Sequence, residues 1–225
     1  MSTRLRLFVM FIGALLVVIT YTYPTWQPFL QRESSQEGFP DLAENLQPAY
    51  QELPAADRRL YLQMNEENAL MAVSILTAAL NPDEALPDDA QALPDVSTAQ
   101  LMREGEFALL NMDELELDNE DDISPYLPLF KSEGSVIFYQ YQDGRKLLRL
   151  ENFRVTNGLN LHVYLSPNPT PITFADLGFY YDAGQLQANT GSQTYEIPSS
   201  LNLDEYQSIV IVCLSYQFIY GIADF

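Results

Sequence analysis

The chain has 225 residues, 31 acids against 11 bases, one histidine and one cysteine, for a formal net charge of −20. That charge argues against wrapping nucleic acid, which takes clustered Lys and Arg, and one cysteine with one histidine excludes an intrachain disulfide, a Cys-built zinc site and the common His/Cys metal sets. A chain that is 47% hydrophobic and 12% aromatic still packs a core, so it is not disordered throughout, and its length suits one or two domains.

At the N-terminus, Arg4 and Arg6 precede 25 uncharged residues that end at Arg32, and Leu7–Tyr23 is almost continuously apolar. A helix over this run rises about 25 Å, close to the ~30 Å hydrocarbon core of a bilayer. Tyr21, Tyr23 and Trp26 stand where an interfacial aromatic belt stands, Pro24 ends or kinks the helix, and the leading arginines keep the N-terminus in the cytoplasm. A cleaved signal peptide needs a small-x-small site, which Thr20-x-Thr22 supplies poorly. The expectation is therefore an uncleaved signal-anchor. Residues 1–6 are cytoplasmic, residues 7–26 a transmembrane helix and the rest lies outside the cytoplasm, which makes a single-pass protein of the cytoplasmic membrane.

Residues 27–56 carry Pro28, Pro40, Pro48 and Pro54 and read as a stalk. Over residues 57–81, Leu60, Met64, Met71 and Ile75 recur at nearly helical steps, and Asn81-Pro82 is a stop signal. Asn65-Glu66-Glu67-Asn68 can split the segment into two helices. Residues 82–96 form an acidic, proline-rich linker and the best domain boundary. The run Asp118-Asn119-Glu120-Asp121-Asp122 has carboxylates for calcium, but it lacks the spacing and central glycine of an EF-hand loop, so a solvated acidic loop is the default. No metal ligand is assigned.

Residues 97–225 read as β. Helical periodicity ends near Gly105, and short apolar or alternating stretches are separated by turns. Ser135–Tyr141 and Lys146–Phe153 flank the hairpin signal Asp143-Gly144. Asn157-Gly158 is a turn before the strand Leu161–Leu165. Phe174–Tyr181, Gln193–Ile197 and Gln207–Ser215 are further strands, the last apolar on both faces and so central. Tyr216–Ile222 either continues that strand or pairs with it. The fold class is mainly β: an antiparallel β-sandwich or barrel-like domain behind a transmembrane helix and a short helical segment.

Several stretches in this region carry a family resemblance: GEF at Gly105–Phe107, LLRLENFRVTNG at Leu147–Gly158, LHVYLS at Leu161–Ser166, NTGSQTYEIP at Asn189–Pro198, LDEYQSIVIVC at Leu203–Cys213 and FIYGIADF at Phe218–Phe225. In order and spacing, Gly105–Phe225 resembles a DM13 domain. The resemblance implies a β-sandwich-like module, related to DOMON domains, on secreted and cell-surface proteins, with a proposed role in electron transfer. It points to Cys213 as the redox group, acting as a free thiol or through a bound prosthetic group such as haem. The chain departs from the family pattern at Val212, where an aromatic residue usually precedes the cysteine and the exchange alters what that residue supplies beside the thiol, and at Leu159, where proline usually follows the turn glycine.

Cys213 is thus the candidate redox thiol. The residues themselves leave two readings open, because Ile209–Leu214 is an apolar run and a buried cysteine packs as a small hydrophobe with a raised pKa. His162, in the strand Leu161–Leu165, is the one histidine available as an axial haem ligand, although a solvent-facing or hydrogen-bonded strand histidine is more common. There is no phosphate loop, serine nucleophile elbow or His-based triad, so a conventional enzyme is not indicated. The expected partners are the membrane and a cell-surface or redox protein. The alternative function is a non-catalytic surface binding or structural module.

Overall fold

The computed structural model describes residues 38–108 and 124–225. The expected anchor, residues 7–26, and the acidic run Asp118–Asp122 lie outside the described residues. Among those described, no helix is long and apolar enough to cross a membrane. The chain divides into two units, Met1–Glu52 and Leu53–Phe225. In the first, a 3-10 turn at Glu44–Leu46 leads into α1 (Gln47–Glu52). The Gln47 amide accepts from the Phe39 N–H and donates to its carbonyl, each at 2.8 Å.

In the second unit, the helical pattern forms α2 (Ala55–Glu67) and α3 (Ala69–Leu80). They part at Asn68, whose backbone is extended and whose side chain accepts from the Met71 N–H at 3.0 Å. This N-cap satisfies one of the donors that open α3. Asn81 leaves the helical conformation before Pro82, as the residue before a proline tends to. Ala72, Ile75 and Leu76 of α3 are buried, the spacing of a single helical face.

The acidic segment that follows contains one short helix, α4 (Asp88–Gln91), and is strapped to the β region. The Glu84 N–H donates to Asn189 Oδ1 at 2.7 Å and the Thr190 N–H to the Glu84 carbonyl at 3.3 Å. Arg154 pairs with Asp83. Arg149, only 4% exposed, donates to the Thr194 hydroxyl at 3.0 Å and to the Gln91 and Ala92 carbonyls at the end of α4. Arg149 and Arg154 of the β region are thereby engaged by the chain's own carbonyls and acid. Arg149→Leu should lower stability by about 2 kcal/mol, because it strips several acceptors of a charged donor in a buried place. Urea denaturation measures this, and a loss under about 0.5 kcal/mol would mean that the strap holds without the guanidinium.

Eight strands follow: β1 (Ala99–Ala108), β2 (Ser132–Tyr141), β3 (Lys146–Val155), β4 (Leu161–Ser166), β5 (Tyr181–Gln185), β6 (Thr190–Ile197), β7 (Ser208–Cys213) and β8 (Phe218–Asp224). They form one sheet in the order β5-β4-β7-β8-β1-β2-β3-β6, and every pairing is antiparallel. Of the two architectures expected, the nearly closed barrel-like sheet is the one found. A sandwich needs two sheets without a ladder between them, whereas here β1 pairs with β8 through Glu106/Asp224, Phe107/Ala223 and Ala108/Ile222. Side chains of β6 tie down the loop that joins it to β5. Tyr195 Oη donates to Gln193 Oε1 at 2.8 Å and accepts from the Gln187 N–H at 3.2 Å, and buried Gln193 donates to the Ala188 carbonyl at 2.8 Å.

The strand expected over Phe174–Tyr181 is corrected. A 3-10 turn occupies Ala175–Leu177, and the strand starts only at Tyr181. Asp176 closes the turn by accepting from the Thr173 N–H and hydroxyl, both at 2.8 Å, and Gly178 reverses the chain at φ 63°, a conformation that glycine adopts without strain. The hairpin expected at Asp143-Gly144 forms, with Gly144 at φ 87°. All six residues of β7 are buried, which suits its place between β4 and β8.

Candidate functional site

Cys213 ends β7, opposite Leu161 of β4 and Phe218 of β8. It has no exposed surface. Its thiol donates to the Leu159 carbonyl at 3.1 Å. Burial pushes the thiol pKa up, partly opposed by the backbone groups of Tyr216 and Ser215. A thiol held this way stays protonated and is a poor nucleophile.

Tyr220 is the neighbour that makes this more than a packed cysteine. β7 and β8 slip register between Ile211/Gly221 and Val212/Ile219, so Tyr220 is the extra residue of a bulge, a device that re-aims a side chain. Its ring stacks on Phe130 with centroids 4.0 Å apart and planes 18° apart, and Phe130 leans on Phe218 at 5.6 Å. The Tyr220 hydroxyl is buried with no hydrogen-bond partner among the described residues. Its pKa is driven far up, first by burial and then by the nearby Cys213 and Tyr61. Tyr61, buried on α2, is raised by burial and by Asp57. Gly158 closes the opposite side: a Cβ there would stand 2.6 Å from the Tyr220 ring, so only glycine lets the loop lie this close.

Cys213 and Tyr220 are therefore two buried, oxidisable side chains that interact electrostatically, and buried Tyr61 acts on Tyr220 in the same way. Of the three, the sequence singled out Cys213 alone. Tyr220 carries a usable signal, because a turn after Cys213 folds β8 back alongside it. Tyr61 carries none, since nothing local ties a helix residue to a strand so far along the chain.

His162 is not part of this site. It pairs with Val212 across β4 and β7, and neighbours along a strand face opposite ways, so it lies on the face away from Cys213. Its Nδ1 stands 3.0 Å from an Asp182 carboxylate oxygen. Val212 shares that far face, in a cluster with Leu127, Tyr164, Leu177 and Ile219, so the exchange at this position does not put a different side chain beside the thiol. The surroundings of Cys213 do not fit a haem: the sulfur is sealed, it does not line the cavity described below, and the histidine is on the wrong face. Among the described residues, no group of three His, Cys, Asp or Glu side chains is gathered to hold a metal ion.

A nearly closed antiparallel sheet around one shielded thiol defines a small β domain with a buried redox-capable residue. Residues 130–225 match the family model described as electron transfer DM13. β1, which completes the sheet, and the helices α2 and α3 precede the matched residues. No curated protein and no solved structure matches the chain.

Proposed function

We infer that the chain is a single-pass membrane protein that carries its DM13 domain outside the cytoplasm and serves electron transfer, with Cys213 the group that changes oxidation state. The anchor rests on the uncharged run behind Arg4 and Arg6. The redox role rests on the family description and is supported by one observation: the thiol shares a sealed, apolar site with the unpartnered phenol of Tyr220. Disulfide exchange needs a thiolate and an approach to sulfur, and this site offers neither. An electron needs no such approach. In the one-electron step, sulfur gives an electron to an outer-sphere acceptor, such as a metal complex or redox protein, and the S–H proton passes to solvent. The reverse step returns both.

The test titrates the full-length chain with hexachloroiridate(IV), a one-electron oxidant, and compares wild type with Cys213→Ala. Wild type should consume about one equivalent more than the variant, in a phase that the disulfide reagent dithionitrobenzoate does not block. Equal consumption would remove Cys213 from the chemistry. It would leave the second reading, a binding or structural module, which the same full burial favours because cysteine packs readily in cores.

A further inference from the structure

Where α2 meets α3, a cavity of about 340 Å³ opens, lined by Glu67, Met71, Tyr126, Phe174, Phe218 and Ile219 together with five uncharged residues. That volume is at the small end of those that hold small molecules. Tyr126 and Phe218 stand as two walls, ring centroids 6.3 Å apart and planes at 70°. Phe174 is the third ring, itself braced by Tyr180 at 5.8 Å. Glu67 is the only charged residue of the lining; it accepts from Gln63 Nε2 at 3.4 Å and acts on the Tyr126 hydroxyl as an acceptor and as a charge. Tyr126 is 3% exposed, and its hydroxyl has no hydrogen-bond partner within normal distance among the described residues, although the Glu67 carboxylate is near enough to raise its pKa.

These features select a charge. An anion would meet Glu67 and a molecule of net charge −20, with no cation in the lining to offset them. An uncharged apolar ligand would desolvate the carboxylate and give nothing back. A cation is met by the carboxylate and by the negative faces of aromatic rings, the combination by which proteins hold ammonium groups. Met71 and Ile219 add apolar surface for methyl groups.

We propose that this cavity binds a small organic cation, a methylated ammonium, between the rings of Tyr126, Phe174 and Phe218 and the carboxylate of Glu67. The site is independent of the redox reading of Cys213.

The experiment uses the full-length chain and saturation-transfer NMR with two probes: choline, and its uncharged isostere 3,3-dimethylbutan-1-ol. Choline should saturate below about 50 mM, with the isostere about fivefold weaker or worse. Glu67→Gln, a change at an exposed helix end, should weaken choline about fivefold and leave the isostere unchanged. Phe174→Leu keeps the charge and removes a ring, and should weaken choline about threefold. Circular dichroism checks that both variants fold. Equal affinity for the two probes, choline binding indifferent to Glu67→Gln, or no saturable choline binding would each overturn the proposal.

Discussion

In the native state, an aromatic disulfide reagent should modify Cys213 about a thousandfold more slowly than in the denatured chain, or more slowly still. Two effects multiply. The sulfur has no exposed surface and is hydrogen-bonded to the Leu159 carbonyl beside the Gly158 turn, so the reagent waits for an opening. Burial also raises the thiol pKa, so little thiolate exists while the site is closed. The same shift fixes the direction of the pH dependence. The native thiol holds its proton above the unfolded value of about 8.5, so its contribution to stability is complete below that pH and fades as pH climbs through the native pKa. Cys213→Ala should remove that part of the alkaline loss. Stopped-flow labelling across a guanidinium series measures the protection. A native rate within about tenfold of the denatured one would mean that the sulfur is reached by local motion, and it would turn the redox reading toward thiol exchange.

Gly105→Val should cost about 3 kcal/mol and loosen the sheet at its centre. A Cβ at position 105 would run into the backbone carbonyl of Asp224 and crowd the side chain of Phe225. Backbone cannot swing aside as a long side chain can, so the strands must part. The place matters as much as the clash. β1 and β8 are the junction between the half-sheet β5-β4-β7-β8 and the half-sheet β1-β2-β3-β6. Among the described residues three pairs make that junction. Denaturant unfolding measures the cost, and amide exchange should show early loss of protection at Phe107 and Ala223. A variant within about 1 kcal/mol of wild type would mean that the other strand pairings hold the sheet without a tight β1–β8 ladder.

Local patterns carried most of the strands. The alternation of Ser135–Tyr141, the Asp143-Gly144 turn and the doubly apolar Ile209–Cys213 are short-range signals, and the elements formed where they lie. The run Phe174–Tyr181 misled because its aromatics look like strand. The Asp176 turn and Gly178 decide otherwise, and Tyr180 instead stacks on Tyr164 at 4.5 Å. The acidic, proline-rich stretch reads locally as a linker because prolines and acids dominate it. What docks it are distant groups, Arg149, Arg154 and Asn189, and no local composition reveals them.

By itself the sequence determined the excess of acid, the β character of the C-terminal half, the turn positions and the place of the one thiol in a buried strand, because these depend on residue type and near neighbours. The tertiary structure alone decided that the strands make one sheet rather than two, that Val212 and His162 turn away from Cys213, and that Tyr220 lies near it. The physical reason is that strand order, register and a single bulge set which side chains share a face, and those are settled by pairings between segments far apart in the chain.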